Sequence, residues 1–425
     1  MWTRIDRPFT IPTEVRGVLS TLYAAGFEAY LVGGCVRDFL IGKPIKDYDV
    51  ATQATPDQVL KLFSKVVEVG KAFGVLRIIT DTGREVEVAT FRTERDYQNH
   101  RHPNVVEFSS VKEDSARRDF TVNALYFDLK TSQVLDFYKG MDDLKDKILR
   151  AIGVPSERFE EDALRLMRAF RFSARLGFKI EAQTAEAIRA QSPLIREISI
   201  ERVRDELEKI LLHPSAKNAI VEMDSLGVFE NVMPEIAVAR LEQRKVWDQT
   251  LRVLTVLGNY ERPEPVSFYW ALFLLPTLRL YPMERRDKEV PKISTRLKLS
   301  NECADQMAYL VRETPKFREA FSMRAATLYR WMREADFELL MRFHELDAIS
   351  YDGNLAGLEF VKAIYPESKR RFDMKPLITG DDLVKLGLSP GRSFTEILRT
   401  VEDLSLEGSL TTSEEALNYV LKHYV

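Results

Sequence analysis

Residues 31–52 read LVGGCVRDFLIGKPIKDYDVAT. The apolar run FEAYLV (27–32) ends in Gly33-Gly34, VRDFLIG reads as a short helix stopped at Gly42, and DYDVAT reads as a second strand. Strand residues two apart leave the same face, so Asp47 and Asp49 would present paired carboxylates. Such a pair repels itself unless a cation lies between. Mg²⁺ suits it, taking hard oxygen ligands and leaving positions open for phosphate. Paired ions can activate an attacking hydroxyl and steady a leaving oxygen in an in-line displacement. Gly33 and Gly34, after a strand and before a helix, let backbone N–H groups approach a triphosphate, and Arg37 falls in that helix's first turn. Each fragment alone is a turn or a strand surface. Together, in one strand–turn–helix–strand unit, they predict a nucleotide site. No GxxxxGK[ST] occurs, so a Walker-type loop is not its basis.

The alternation continues to about residue 150. TPDQVLKLFSKV opens on Thr55-Pro56 as a helix start, GVLRIIT and REVEVATF read as strands around the turn DTGR, and a helix near RRDFTVNALYFDL precedes a strand at VLDFY. In REVEVATF, Glu85 and Glu87 alternate with valines; either is a candidate third acid, and a solvated strand face explains them equally well. Beyond residue 151 the periodicity is helical, with Pro/Gly joints near 262–266, 281–291 and 351–357, and two short tail helices split at Ser389-Pro390-Gly391. The expected fold is an α+β head, a mixed sheet with helices, over 1–150, then an all-α neck (151–215), body (216–350) and tail (351–425).

With 425 residues, 45% hydrophobic and 30% charged, the chain has the composition of a soluble multi-part globular protein. No run approaches the roughly 18 apolar residues of a membrane span, and MWTRIDRPFTIP has no signal-peptide pattern. Cys35 and Cys303 match no metal spacing and read as reduced. A cytoplasmic location follows, with no membrane and no obligate protein partner expected. The net charge of −3 argues against bulk, sequence-blind nucleic-acid binding. Local basic stretches at 284–298 and 367–375 are candidate RNA-facing patches or solvated surface.

EDALRLMRAFRFSARLGF (161–178) is the second informative stretch. Read as one helix, it places Asp162 and Arg165 at i and i+3 on one face, which Arg168 and Arg171 extend. A carboxylate accepts from an exocyclic amino group, while a guanidinium donates to ring nitrogens and carbonyls. Cytosine and adenine match such a pair; uracil and guanine place a carbonyl opposite the acid. Each mismatch leaves groups unpaired at about 1–3 kcal/mol. By periodicity alone, a solvated arginine stripe is a rival.

LVGGCVRDFLIGKPIKDYDVAT, RRDFTVNALYFD (117–128), DFYKGMDDL (136–144), EDALRLMRAFRFSARLGF and SIERVRDELEKIL (199–211) follow one another in the order of the class II tRNA nucleotidyltransferase/poly(A) polymerase family, of the polymerase-β-like superfamily, which this chain resembles over about residues 29–211. The resemblance implies a nucleotidyltransferase head, neck, body and tail, and template-independent addition of nucleotides to an RNA 3′ end. It assigns Asp47 and Asp49 to catalysis and metal, and Gly33, Gly34, Arg37, Arg118, Asp119, Asp162, Arg165, Arg168 and Arg171 to the nucleotide. Arg118 and Asp119 would contact ribose and phosphates; Asn123 supports them or is structural.

FRTERDYQNHRHPNVVEF (91–108) resembles the full-length loop of CCA-adding members, which implies the tRNA 3′ end, CTP and ATP as substrates. His100 and His102 in it read as loop surface, since no third ligand is spaced to join them. Some relatives add a His-Asp phosphohydrolase domain; WALFLLPTL (270–278) has no such pair, and His344 with Asp347 reads as structural. The alternatives are an A-adding enzyme or poly(A) polymerase with the same site, or a catalytically inactive RNA-binding protein.

Overall fold

The computed structural model describes residues 2–5, 7–98, 102–372 and 375–425. His100 lies outside them. The chain forms two compact units, Met1–Val238 and Ala239–Val425.

The first unit opens with ten strands: β1 (Trp2–Arg4), β2 (Ala29–Val32), β3 (Asp49–Thr52), β4 (Val66–Gly70), β5 (Val75–Ile79), β6 (Glu85–Thr90), β7 (Arg92–Gln98), β8 (His102–Phe108), β9 (Leu125–Asp128) and β10 (Gln133–Asp136). Eight build one mixed sheet in the order β1-β10-β9-β2-β3-β6-β5-β4, while β7 and β8 pair as a separate hairpin. Within that sheet, among the described residues, only β3 and β6 run parallel, in a register that sets Asp49 beside Glu87. All four residues of β2 are buried, as a central strand requires. Strand β6 alternates exposed Glu85 and Glu87 with buried Val86 and Val88.

Helices α1 (Thr13–Ala24), α2 (Gly34–Leu40), α3 (Pro56–Leu62), α4 (Val111–Ala116) and α5 (Gly140–Asp146) accompany the sheet. Thr55 caps α3, with Gln58 closing the capping box as the Thr-Pro pair predicts. A Cβ on Gly140 would lie 2.3 Å from the Thr121 carbonyl oxygen, so only glycine permits that approach.

Three local expectations are corrected. Strand β3 starts at Asp49, leaving Asp47 in the preceding loop. The helix expected at RRDFTVNALYFDL lies earlier: Ser110 and Glu113 form a capping box that starts α4 at Val111, and RRDF leads instead into a 3₁₀ turn (Thr121–Asn123) and β9. The expected 161–178 helix is broken. Helix α6 (Pro155–Glu161) stops at Asp162, whose backbone is extended (φ −141°, ψ 98°), and α7 runs Leu164–Leu176. Aspartate competes with the helix backbone for hydrogen bonds, and Asp162 accepts one from the Leu164 N–H at 3.2 Å.

Helix α7 buries Leu166, Met167, Ala169 and Phe170 completely, each large side chain contributing about 1.5–3 kcal/mol, and ends where Gly177 takes a left-handed conformation. Helices α8 (Ala182–Gln191), α9 (Ile200–Leu211), α10 (Ala216–Ser225) and α11 (Phe229–Val232) follow in this unit. A short parallel pair, β11 (Ile148–Leu149) with β12 (Lys179–Ile180), also belongs to it.

In the second unit every described element is helical. Helix Val266–Leu278 is buried from Ser267 to Leu278, so it is the unit's central rod. Pro265 and Pro282 start helices at expected joints, whereas Pro291 lies inside one. Within residues 351–425, helix Ala356–Phe372 is followed by three shorter helices, Gly380–Lys385, Arg392–Leu406 and Ser413–Tyr424, packed on Leu383, Ile397, Val401, Ala416 and Val420. His344 is buried, meeting Thr314 at 3.0 Å and stacking on Phe317. Asp347 accepts from Arg279 at 2.5 Å. Among the described residues no helix is long and apolar enough to cross a membrane.

Candidate active site

Gly33 joins β2 to α2 with φ +73°, a conformation that costs other residues about 1–2 kcal/mol. A Cβ there would stand 3.4 Å from an Arg118 guanidinium nitrogen, so the glycine lets that cation lie against the turn. The Gly33 N–H donates to the Leu125 carbonyl (3.2 Å), which fixes the turn on β9.

The two aspartates differ in setting. Asp47 is exposed in the loop, while Asp49 is partly buried at the start of β3. Burial, neighbouring Glu87 and then Asp47 raise the Asp49 carboxyl to about 6, against the opposing charge of Arg118. Of the two candidate third acids, Glu87 is therefore the one beside Asp49, while Glu85 pairs with Arg77 at 3.1 Å. Hard carboxylate oxygens in excess negative potential fit a divalent cation. Among the described residues no three His, Cys, Asp or Glu side chains converge into a cage. A metal held by Asp47 and Asp49 would take its remaining ligands from water and substrate.

Arg118 is held from behind. Its Nε donates to the Tyr126 hydroxyl (2.9 Å) and an Nη to Asp114 (3.3 Å), while Tyr126 itself donates to Asp114 at 2.5 Å. Asp114 also accepts from Arg117 at 2.9 and 2.7 Å. Burial would raise the Asp114 carboxyl, but Arg118, Arg117 and Tyr126 together hold it at about 2. Sequence reasoning missed Asp114 and Tyr126. The available signal was helical spacing, because Asp114 precedes the two arginines by three and four residues.

The other predicted groups are largely engaged with protein. Arg37 is 1% exposed and donates to Asp38 (2.8 Å) and the Asn123 side chain (2.5 Å). Asp119 accepts from Asn123 (3.0 Å), the Phe120 N–H (2.7 Å) and Arg168. Burial acts to raise its carboxyl, yet Arg168 and these donors bring it down to about 2. Arg171 pairs with buried Glu206 and covers the Phe172 ring at 4.1 Å. Asp162 accepts from Arg202 of α9 at 3.1 and 3.3 Å. Arg165 donates to Glu161 (2.8 Å) and to the Arg117 carbonyl (2.7 Å). The expected Asp162–Arg165 alignment on one helix face is thus replaced by two residues flanking a helix start, each with its own partner.

All eleven residues singled out from sequence nevertheless line one cleft of about 1040 Å³ within the first unit. Twelve arginines and lysines line it against six carboxylates, in a chain of net charge −3. Such a cleft concentrates positive potential toward an anionic ligand.

Comparisons with known proteins agree with this geometry. Residues 29–150 match the poly(A) polymerase head domain, 177–240 the probable RNA- and SrmB-binding site of polymerase A, and 269–421 the putative tRNA nucleotidyltransferase domain 2. The chain is 33% identical over 418 residues to a CCA-adding enzyme of Streptococcus gordonii, covering 97% of this chain and 98% of that one. It is 34% identical over 415 residues to one of Enterococcus faecalis, covering 96% of each. Among solved structures it resembles the Bacillus stearothermophilus CCA-adding enzyme in complex with CTP, with TM-score 0.76, 26% identity and 96% of both chains covered. The Thermotoga maritima CCA-adding enzyme complexed with tRNA, at 21% identity and TM-score 0.67 over 97% of this chain and 96% of that one, shares the fold.

Proposed function

This chain belongs to the CCA-adding enzyme family, and from that premise we infer that it adds CMP and AMP, without a template, to the 3′ end of tRNA. The observation that carries this reading is the shared cleft: paired acids on the sheet side, Asp162 and Arg165 at the start of α7, and a net cationic lining.

Asp47 and Asp49 are the residues that would hold Mg²⁺, which when bound supplies charge to the reacting phosphate and acidifies the attacking hydroxyl. Gly33 and Gly34 give the triphosphate close access to the backbone at the turn. Arg118, braced by Asp114 and Tyr126, donates to phosphate or ribose beside Asp119. Arg37, buried and fully partnered, contributes charge from beneath. The Asp162 carboxylate accepts the exocyclic amino group of cytosine or adenine and Arg165 donates to the ring, while Arg168 and Arg171 hold phosphate or stack. Selection of C and A against U and G then costs no nucleic-acid template. The chemistry is mainly positioning and charge stabilisation. The division of labour follows the four expected segments, with residues 1–150 catalytic, 151–215 reading the base, 216–350 forming the body and 351–425 meeting the tRNA. The cytoplasm, where tRNA and nucleotides meet, is the place of action.

The test is incorporation by the purified protein on tRNA lacking its 3′ terminus, with Mg²⁺ and each nucleoside triphosphate singly and together. CTP alone should add two residues, and CTP with ATP three and no more. Long A tails on generic RNA would overturn the reading.

A further inference from the structure

Ten of the twelve cations lining the cleft spend their charge on a carboxylate, from Arg37 with Asp38 to Lys209 with Glu206. Among the described residues, Lys43 and Lys46 form no salt bridge. Both are exposed, in the loop between α2 and β3. Lys43 is anchored by donating to the Arg175 carbonyl at 2.7 Å, near the C-terminal end of α7. That is ten residues, about 15 Å of helix, from Arg165.

His213 lines the same end of the cleft. Its Nδ1 accepts the Ser215 N–H at 3.1 Å, which leaves the proton on Nε2 and makes the ring tip a neutral donor. Burial, and then the nearby charges of Lys43 and Arg175, lower its pKa.

We propose that Lys43, Lys46 and His213 form a seat for backbone phosphates of the RNA strand being extended. The proposal rests on the function inferred above and adds the path of its second substrate. Two features favour the strand over the nucleoside triphosphate. Lys43 and Lys46 are exposed and, among the described residues, free of carboxylates, so they can meet a strand that continues out of the cleft, whereas the arginines around the glycine turn and α7 are already paired. Lys46 also adjoins Asp47, and the 3′-hydroxyl must reach those acids, so the last phosphates of its strand lie within reach of this loop.

The experiment compares the Lys43→Gln/Lys46→Gln double variant, its Arg/Arg counterpart and a Lys65→Gln control, with Lys65 exposed in the loop before β4. Melting temperatures establish that each is folded. Binding of tRNA lacking its 3′ terminus is titrated against salt, and KM is measured separately for that RNA and for CTP. The Gln/Gln variant should raise the RNA KM about tenfold, leave the CTP KM within about twofold, and reduce the log–log salt slope by about 1.5, as the loss of two phosphate contacts requires. Arg/Arg should keep the slope, and Lys65→Gln should change nothing. His213→Ala should weaken RNA about threefold at an unchanged slope, because a neutral donor displaces no counterion. An unchanged RNA KM and slope would overturn the proposal, and so would a rise in the CTP KM instead. If the wild type binds RNA with the lysine-dependent slope but incorporates nothing, the seat stands and the enzymatic reading fails.

Discussion

Arg168 on α7 donates two hydrogen bonds to one oxygen of Asp119, at 2.9 and 2.6 Å. The bond ties the helix that follows Asp162 to the loop that carries Arg118. Asp119→Asn keeps the shape but loses the charge that holds Arg168. We expect the CTP KM to rise about tenfold, equal to about 1.4 kcal/mol for a charge-assisted hydrogen bond. Steady-state kinetics with either substrate varied would check this, and an unchanged KM would show that the pair is only structural.

The same carboxylates make stability depend on pH. Asp114 and Asp119 sit at about 2 in the fold, against roughly 3.9 when unfolded. Their contribution is fully present above about pH 4 and is lost as pH falls toward 2, because the unfolded chain then binds protons that the fold refuses. Each should contribute about 2 kcal/mol. Denaturant unfolding of the first unit between pH 5 and 2 should show this slope, and Asp119→Asn should reduce it by the share of one proton.

Gly33→Ala combines a left-handed φ with a Cβ 3.4 Å from Arg118. About 1–2 kcal/mol of strain should appear as a lower melting temperature. The displaced guanidinium should raise the CTP KM more than it lowers kcat, whereas Gly26→Ala, also at positive φ but with open space around it, should lower stability alone.

The alternation of apolar segments and the Thr-Pro helix start were readable because each depends on residues close in sequence, whereas the strand expected from Asp47 begins only at Asp49. Partner choice was not. Asp162 pairs with Arg202 across 40 residues and Asp119 with Arg168 across 49, so no local spacing could reveal that the arginine stripe is neutralised. The break at Asp162 escaped notice because apolar periodicity runs through it, although aspartate's preference for helix starts was a signal in plain view. The β7–β8 hairpin was hidden for a different reason: RTERDYQ and HPNVVEF lack the clean alternation of a half-buried strand.

Tyr126→Phe tests the brace behind Arg118. The buried ring is kept, but Asp114 loses a 2.5 Å donor and Arg118 Nε loses its acceptor. The cost to stability should be about 1 kcal/mol. Because the cation is loosened rather than removed, the CTP KM should rise severalfold with kcat nearly kept, while Arg118→Ala should depress both. Equal kinetics for Tyr126→Phe and wild type would mean that Arg118 is placed by Asp114 alone.

Asp162 accepts from Arg202 at 3.1 and 3.3 Å and also from the Leu164 N–H, so its carboxylate is oriented before any base arrives. Removing either partner should therefore affect selection, but differently. Asp162→Ala deletes the acceptor proposed for the exocyclic amino group, and discrimination of CTP against UTP should fall by about 1–3 kcal/mol, roughly 5- to 150-fold. Arg202→Ala leaves the acceptor but frees it to rotate, so discrimination should fall by less than tenfold while the CTP KM rises. Arg202→Lys should restore part of it, since one ammonium donor can still hold the carboxylate though not with a planar fork. Competition assays with paired CTP and UTP give both values. If Asp162→Ala selects CTP as sharply as wild type, the base is read elsewhere in the cleft and the Arg202 contact serves only to join α9 to the break before α7.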